Sequence, residues 1–273
     1  MRPPDQAVSS PADVVRWGYQ RPRDLTLAQA QHRSFSAALE SAGVEVFAEP
    51  FPVSGPRADA CYTCDPALMT PAGAIILAMG NPNRTTEPEA MEARLAELGV
   101  PVVGRIVAPG TVEGGDCLWL DERTLAVGEG FRTNPAGIAQ LSELLPDVEV
   151  VTIQLPWLNG PAECLHLQSL ISWVGERLAV VHRALSPVRL LRALEARDIT
   201  VIPLPAAEFD SLGSNILCVR DRQVIMAAGN PATAGLLRSH GVAVAELEAQ
   251  DLMWVGTGGP TCLTFPLLRR APG

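Results

Sequence analysis

The order of apolar and polar residues predicts one structural unit that recurs along the chain. Residues 118–120 and 124–128 are apolar runs on either side of a charged turn, which is typical of a β-hairpin. Asn134 and Pro135 then predict the start of a helix, because asparagine caps helices and proline favours the first helical position. Apolar residues at helical spacing follow, and residues 148–153 predict a third strand.

Similar units recur elsewhere, at residues 67–103, 170–203 and 216–244. A fifth can be assembled from the two ends of the chain, with a strand at 262–267, a helix at 25–42 and a strand at 44–47. The period of about 50 residues is typical of repeat proteins, and the mixture of helix and strand excludes an all-β propeller. A closed ring of five units would remove exposed sheet edges. The alternative is a doubly wound α/β sheet whose units are alike by coincidence.

Such a ring would direct the residues that enter each hairpin toward a common axis. Those positions carry a cysteine, a histidine and several acids, namely Asp59, Asp65, Glu113, His166 and Cys262. Cysteine, histidine and carboxylate together are groups used in nucleophilic catalysis. A surplus of buried acids suits a cationic substrate with many hydrogen-bond donors, which describes a guanidinium group.

Composition excludes several classes of protein. The 273 residues are 47% hydrophobic and 19% charged, enough for a large core in a single domain spanning residues 1–273. The net charge of −9 and the lack of a Lys/Arg stripe argue against nucleic acid as a partner. The apolar runs are too short to span a bilayer and no signal peptide is evident, so no membrane partner and a cytoplasmic location are expected. Residues 1–11 are predicted to be flexible.

The six cysteines raise a separate question of redox or metal chemistry. A chain of this length without a secretion signal favours reduced thiols over disulfides. Cys61 and Cys64 form a C-x-x-C, which could be a redox pair or half of a zinc site completed by Cys164 and His166. The segment lacks the helix start of a thioredoxin-like motif. We therefore expect no metal here.

Four motifs in order along nearly the whole chain are Asp59 with residues 65–68, residues 113–116 (EGGD) with 128–134 (GEGFRTN), residues 165–167, and residues 260–264. In that order they resemble the guanidinium-binding, EGGD…RTN, histidine and nucleophile motifs of the guanidino-modifying superfamily. That superfamily includes arginine deiminase, dimethylarginine dimethylaminohydrolase and the amidinotransferases. The resemblance implies a five-bladed pseudosymmetric α/β propeller built of ββαβ-type units, in agreement with the repeat.

The resemblance also implies a cysteine-dependent hydrolase of a guanidino group. The catalytic residues would be Cys262 as nucleophile, His166 as the acid and base for the leaving amine and water, and Glu113, which orients His166. The substrate-binding residues would be Asp59 and Asp65 for the guanidinium and Arg84 and Arg132 for the carboxylate, a bidentate task suited to arginine. A covalent thiouronium intermediate is implied, with no metal or organic cofactor.

Each of these residues also has a purely structural interpretation. Cys262 could be another core cysteine and His166 a hydrogen-bonded interior histidine. Glu113, with Asp116, could stabilise a glycine turn. The two arginines could be solvated surface charges.

The substrate within the superfamily depends on a few departures. Gln168 replaces the aspartate that deiminases and amidinotransferases carry two residues after the histidine, and dimethylarginine hydrolases also lack an acid there. Residues 258–260 and 65–66 look more like deiminases, and Cys64 stands where dimethylarginine hydrolases usually have an acid. We predict a hydrolase of Nω-methylated arginine that releases citrulline and methylamine or dimethylamine.

The alternatives are an arginine deiminase, a hydrolase of another guanidino compound, and a non-catalytic relative that binds an arginine-like ligand. A small guanidino molecule is the predicted partner in every case. A homodimer is left open.

Overall fold

The computed structural model describes residues 1–48, 51–160 and 165–267, and within them the chain is an α/β protein. The six helices are α1 (Pro11–Trp17), α2 (Leu25–Ser41), α3 (Glu87–Glu97), α4 (Pro135–Leu144), α5 (Val188–Glu195) and α6 (Pro231–Ser239). The twelve strands are β1 (Ala67–Thr70), β2 (Gly73–Ile76), β3 (Val102–Arg105), β4 (Cys117–Asp121), β5 (Thr124–Glu129), β6 (Glu149–Gln154), β7 (Ile171–Gly175), β8 (Leu178–Val181), β9 (Thr200–Pro203), β10 (Ile216–Arg220), β11 (Gln223–Ala227) and β12 (Ala243–Leu247).

The strands form four three-stranded sheets with the same topology. In each sheet the first two strands pair antiparallel as a hairpin, and the third pairs parallel with the second after a helical crossover. We call β1–β3 with α3 unit 1, β4–β6 with α4 unit 2, β7–β9 with α5 unit 3, and β10–β12 with α6 unit 4. The predicted hairpins, helices and third strands of these four units are confirmed to within a few residues.

Apolar side chains from neighbouring units share one core at each junction. Between units 1 and 2, Ile75 and Leu77 cluster with Leu125 and Leu141. Equivalent clusters join unit 2 to unit 3 and unit 3 to unit 4. Each helix therefore covers its own sheet while the sheets pack on one another, an arrangement in which the second strand is buried on both faces.

The same hydrogen bond is repeated between units. Trp119 of β4 donates its indole N–H to the carbonyl of Met69 in β1 at 3.3 Å. Trp173 of β7 donates its indole N–H to the carbonyl of Trp119 at 3.1 Å. Equivalent positions of three successive hairpins are thus linked by equivalent contacts, which is direct evidence that the units repeat in space as well as in sequence.

The region between unit 4 and unit 1 is built differently. Residues 248–267, which we call the C-terminal segment, contain a short 3-10 turn but no strand, and residues 44–47 are not a strand either. The prediction of two strands in a fifth unit is therefore wrong. At 259–264 the chain turns instead: Leu263 N–H donates to Gly259 O at 3.2 Å and Thr264 N–H to Thr261 O at 3.3 Å. Such bonds are incompatible with an extended strand.

Helix α2 and the C-terminal segment nevertheless fill this gap. Phe35 of α2 and Leu263 cluster with Ile225 of unit 4. Phe265 packs against the core that contains Ile76 of unit 1. The C-terminal segment thus contacts both the last unit and the first.

Residues 1–11 are packed in the structure rather than loose. Val8 is fully buried and pairs with Arg23 as an isolated β-bridge. The guanidinium of buried Arg2 donates to the Phe51 carbonyl and forms an ion pair with Asp5. Among the helices of the described residues, none is sufficiently long and apolar to cross a lipid bilayer.

Candidate active site

Cys262 lies in the turn of the C-terminal segment, half-buried between unit 4 and the segment that precedes β1. Its carbonyl accepts a hydrogen bond from Cys64 N–H at 3.2 Å. Next to it, Thr63 Oγ1 donates to Leu263 O at 3.2 Å. These contacts fix the turn to residues 63–64, so the position of the thiol is set by two segments that are far apart in sequence.

Asn215, just before β10, holds the thiol of Cys262. Its Nδ2 donates to Cys262 Sγ at 3.2 Å. Its Oδ1 accepts from Thr261 N–H at 3.1 Å and from Thr261 Oγ1 at 2.7 Å. A Cβ at Gly259 would lie 2.4 Å from the side chain of Asn215, so only glycine permits this approach. The turn and the asparagine are thereby locked together.

The thiol of Cys262 also lies beside the thiol of Cys64. This contact, with smaller contributions from Asn215 and the charge of His166, lowers the pKa of Cys262 to about 7 against burial and Asp65, which raise it. The same contact and burial raise the pKa of Cys64 well above the ordinary thiol range. Cys262 is therefore partly thiolate at neutral pH, which is the reactive form of cysteine, whereas Cys64 stays protonated.

His166 and Glu113 form a buried pair. His166 Nε2 lies 2.9 Å from Glu113 Oε2, and Glu113 has no exposed surface. Asn81 N–H donates to Glu113 Oε1 at 2.8 Å. Although burial raises the pKa of Glu113, the hydrogen bond and charge of His166 hold it below its ordinary value. Glu113 is thus a carboxylate that fixes the orientation of the imidazole.

The glycines of the EGGD motif make room for this histidine. A Cβ at Gly115 would lie 2.4 Å from His166 Nδ1. Asp116, beyond them, is buried and accepts hydrogen bonds from Thr133 Oγ1 at 2.6 Å and Leu167 N–H at 3.0 Å. Burial raises the pKa of Asp116 to about 6. Its contacts tie the two loops together, as expected for a structural residue.

Asp65 is the acid nearest to the cysteines. Its Oδ1 accepts from Gly115 N–H at 2.9 Å and lies 3.3 Å from Cys64 Sγ. Its Oδ2 forms a 2.6 Å ion pair with Arg84. Burial opposes ionisation, but the charges of Arg84 and His166 hold the pKa of Asp65 well below its usual range. Asp65 is therefore a buried anion.

Arg84 is occupied by protein groups. Its guanidinium binds both oxygens of Glu87 at 2.9 and 2.8 Å, Asp65, and the carbonyl of Tyr62 at 2.9 Å. The side chain is only 5% exposed. The predicted contact of Arg84 with a substrate carboxylate stays a prediction, and in this structure the guanidinium supports Asp65.

Asp59 has an acceptor that the protein does not use. It is buried, and its Oδ1 has no hydrogen-bond partner within residues 1–48, 51–160 and 165–267. Burial raises the pKa of Asp59 to about 6, in opposition to the charges of Arg84 and neighbouring groups. A buried carboxylate oxygen without a donor is costly, and a donor supplied by a ligand would remove the cost.

Two further predicted positions differ in their contacts. Arg132 lies 3.4 Å from both oxygens of Glu113 and keeps 14% of its side chain exposed, more than Arg84. Gln168 Nε2 donates to Gly114 O at 3.1 Å and to Cys117 O at 2.8 Å, so its amide holds the main chain of the EGGD segment.

The structure brings most of the predicted site together around His166 and Cys262. The ligand atoms of Asp65, Glu113 and His166 lie within 4.8 Å of one another. The C-x-x-C does not form a pair: Cys61 is fully buried with its sulfur 3.8 Å from Ala58 O, and Cys64 faces Cys262 instead. Cys164 lies outside the described residues.

Sequence reasoning missed three contacts. Asn215 is a single asparagine before a strand, with no spacing that marks it. The thiol contact of Cys64 depends on the C-terminal turn, which was expected to be a strand. Glu87 stands three residues after Arg84, and this i,i+3 spacing of opposite charges was a usable signal for their ion pair.

Comparisons with known proteins agree with this geometry. A family model described as "N,N dimethylarginine dimethylhydrolase, eukaryotic" matches residues 15–269. The N(G),N(G)-dimethylarginine dimethylaminohydrolase of Pseudomonas aeruginosa is 28% identical over 89% of this chain and 89% of that protein. A solved structure of that organism's enzyme, a cysteine-to-serine mutant complexed with citrulline, superposes with a TM-score of 0.76 at 25% identity, covering 96% of this chain and 95% of the other. An arginine deiminase of Listeria welshimeri is 27% identical over 82% of this chain and 65% of its own length.

Proposed function

The chain belongs to the dimethylarginine dimethylhydrolase family, whose members hydrolyse guanidino C–N bonds, and from this we propose that it hydrolyses Nω-methylated arginine to citrulline and methylamine or dimethylamine. The proposal assigns Cys262 as the nucleophile of a covalent mechanism. The structure and function of the Pseudomonas aeruginosa relative support the reaction class, and the contacts of Cys262 support the mechanism.

One observation carries the proposal: a half-buried thiol with its pKa lowered to about 7 lies among buried acids. Asp59, Asp65 and Glu113 are all under 9% exposed. An anionic substrate would be repelled by such a site and a neutral one would gain no charge attraction, whereas a guanidinium offers several N–H donors and a positive charge. The unused oxygen of Asp59 is an acceptor that such a donor would satisfy.

In the first half of the reaction Cys262 Sγ, as thiolate, attacks the central carbon of the guanidinium. Asp59 and Asp65 hold the guanidinium nitrogens and fix its plane. The bound positive charge further favours the thiolate. His166, oriented by Glu113, donates a proton to the departing methylated amine. The C–N bond breaks and a thiouronium remains on Cys262.

In the second half water replaces the sulfur. Neutral His166 removes a proton from water, which attacks the thiouronium carbon. The C–S bond then breaks, the thiolate of Cys262 is restored, and the ureido group of citrulline leaves. The reaction balances with one water consumed and one amine released, and it requires no metal or organic cofactor.

Arg132 is the better-placed ligand for the substrate's α-carboxylate. It is more exposed than Arg84, and its contacts with Glu113 at 3.4 Å are long, so exchange for a carboxylate costs little. Arg84 would have to release Glu87 or Asp65 before it could bind the same group.

The preference for a methylated guanidinium follows from the donor count. Each methyl group removes one N–H, so a methylated substrate requires fewer acidic ligands than arginine does. Gln168 uses its amide N–H groups on main-chain carbonyls and brings no negative charge to the site. Free arginine is the second candidate substrate, and the Listeria welshimeri deiminase favours it.

We also propose that the four units and the chain ends close into a ring of five around this site. The C-terminal segment and α2 pack against Ile225 of unit 4 on one side, and Phe265 packs against the unit 1 core on the other. The interunit indole bonds of Trp119 and Trp173 support a regular step from one unit to the next.

The experiment is citrulline formation from asymmetric dimethylarginine, monomethylarginine and arginine in parallel, with the native protein and Cys262→Ser. Turnover of the methylated substrates that is lost in Cys262→Ser supports the proposal. Turnover of arginine alone moves the enzyme to the deiminase reaction. Methylated-substrate turnover that survives in Cys262→Ser removes the nucleophile assignment. No turnover, with ligand binding detected by calorimetry, identifies a non-catalytic relative.

A further inference from the structure

The contact between Cys64 and Cys262 is not used by the hydrolytic mechanism. Cys64 N–H donates to Cys262 O at 3.2 Å, and each thiol alters the pKa of the other. This chain therefore places a second sulfur against the nucleophile.

The geometry is that of two cysteines ready to be bridged. The main-chain hydrogen bond brings the two backbones close together, and disulfides span Cα separations of about 4.4–6.8 Å. Since the two backbones are already joined by a hydrogen bond, we expect the bridge to need rotation about side-chain bonds rather than a large movement of the backbone. Cys61 differs, because its sulfur lies against Ala58 O and 4.0 Å from Arg23.

The two thiols also have complementary reactivity. Cys262 is partly thiolate near neutral pH and half-buried, so a small oxidant can reach it. Cys64 remains a protonated thiol beside it. Reactive cysteines that sense redox conditions pair a thiolate of low pKa with a resolving cysteine, and this pair has that composition.

We infer that Cys64 and Cys262 form a reversible disulfide when the enzyme meets a hydroperoxide, and that this bridge switches the hydrolase off. The inference rests on Cys262 being the nucleophile of the proposed function. It concerns a modification of the site rather than its substrate.

The oxidation balances with the hydroperoxide as the only oxidant. The Cys262 thiolate attacks one peroxide oxygen, an S–O bond forms, the O–O bond breaks, and the second oxygen leaves with a proton as water or an alcohol. The sulfur of Cys64 then attacks Cys262 Sγ. The S–O bond breaks, and the hydroxyl leaves with the Cys64 proton as water. A dithiol reductant reverses the bridge by exchange.

The test is peptide mapping of the intact, reduced protein after titration with hydrogen peroxide. Without reduction, trypsin should yield a cross-linked pair of peptides, residues 58–84 and 239–269, lighter by two hydrogens than the sum of the two. Both Cys61 and Cys64 lie in the first peptide, so Cys64→Ser and Cys61→Ser are the matched variants. We expect the cross-link in the native protein and Cys61→Ser, and its loss in Cys64→Ser.

Reactivation provides the second measurement. Dithiothreitol should raise the activity of the peroxide-treated native enzyme by at least about tenfold. The increase should be far smaller in Cys64→Ser, whose Cys262 would proceed to the irreversible sulfinic acid. A native protein that carries sulfinic acid on Cys262 without any cross-link, or a cross-link that persists in Cys64→Ser, would overturn the inference. Cys64→Ala, checked by circular dichroism, replaces Cys64→Ser should that variant fold poorly.

The mapping does not depend on turnover. A cross-link in a protein that hydrolyses no guanidino substrate would support the disulfide and contradict the proposed function. Hydrolysis that depends on Cys262, without a cross-link, would support the proposed function and contradict the disulfide.

Discussion

Each of units 1 to 4 completes its own three-stranded ladder and buries a helix against it, whereas the C-terminal segment has no strand in its described residues and is held by side chains from other segments. The units depend on apolar burial, as at Leu125 in the centre of β5. The C-terminal segment depends on specific hydrogen bonds, as at Asn215 and Thr261. The repeat provides stability, and the exception to the repeat carries Cys262, the proposed nucleophile.

This contrast separates two kinds of substitution. A change inside a unit should lower the free energy of unfolding and leave the chemistry of folded molecules intact. A change at the junction of Cys262, His166 and Asn215 should alter the chemistry and leave most of the stability intact. Four predictions test this separation.

His166→Ala should have the largest effect. It removes the proposed proton donor for the leaving amine, and general acid–base catalysis contributes about 10²–10⁴-fold to rate, so kcat should fall by that factor. Asn81 N–H and Arg132 still contact Glu113 in this variant, so the loss of stability should be smaller than that expected for Arg84→Ala; calorimetry measures it beside steady-state citrulline release. A matched control is His182→Ala, in unit 3, which should keep kcat. Equal losses in both variants would contradict the assignment of His166.

Leu125→Ala should have the second largest effect, on stability rather than on catalysis. Leu125 is fully buried between units 1 and 2, and such truncations cost about 2–5 kcal/mol, or roughly 30- to 5000-fold in the unfolding equilibrium. Urea unfolding measures the loss, with kcat per folded molecule unchanged. Val103→Ala, at a 45% exposed position of β3, is the control and should cost under about 0.5 kcal/mol. A fall in kcat with no loss of stability would break the comparison.

Arg132→Ala and Arg84→Ala should differ although both remove an arginine near the site. Arg132→Ala should raise KM about 10- to 100-fold with less loss of stability than Arg84→Ala, because its ion pair with Glu113 is long at 3.4 Å. Arg84→Ala should cost about 3–5 kcal/mol of stability, since it leaves Asp65 and Glu87 as buried unpaired charges. Steady-state kinetics gives KM and urea unfolding gives the midpoint for each variant, and the two values together distinguish substrate binding from structural support. A normal urea midpoint with a raised KM in Arg84→Ala would instead assign Arg84 to substrate binding.

Asn215→Ala should have the smallest effect, on the titration of Cys262. Thiolate reacts with iodoacetamide, so the alkylation rate of the native protein should rise as pH increases through about 7. Losing the Nδ2 donor raises the pKa of Cys262, so alkylation at pH 6 should slow by about two- to tenfold. Asn134→Ala, which removes the cap of α4, should reduce stability by about 1 kcal/mol with an unchanged alkylation profile. An unshifted profile in Asn215→Ala would show that the amide does not stabilise the thiolate.

The sequence was sufficient to predict the secondary structure of units 1 to 4 and insufficient to predict that of the C-terminal segment. Hairpins, helices and third strands follow from local periodicity and from caps such as Asn134, and these signals act within a few residues. Residues 262–267 have the same apolar character as a strand, but bonds from Asn215 and Cys64 hold them in a turn. The pattern of residues within the segment does not reveal these hydrogen-bond partners, because Asn215 and Cys64 lie roughly 50 and roughly 200 residues away, at the scale of a repeat or of the whole chain.

The same limit applies to charges. The acids Asp65 and Glu113 were found from their motifs, but which cation each one binds depends on tertiary contacts. Arg84 could be assigned to a substrate from resemblance alone, and only the structure reveals that Glu87 and Asp65 already surround it.

The repeated indole bonds give the molecule built-in optical reporters. Trp119 and Trp173 each sit at one boundary, between units 1 and 2 and between units 2 and 3. Because indole fluorescence responds to loss of a hydrogen bond and entry of water, a variant that keeps only Trp119 or only Trp173 of the five tryptophans would emit from a single boundary. Following each emission after a jump in denaturant concentration would reveal whether neighbouring units separate together or in succession. The four units would then be shown to unfold cooperatively, or sequentially from a particular junction.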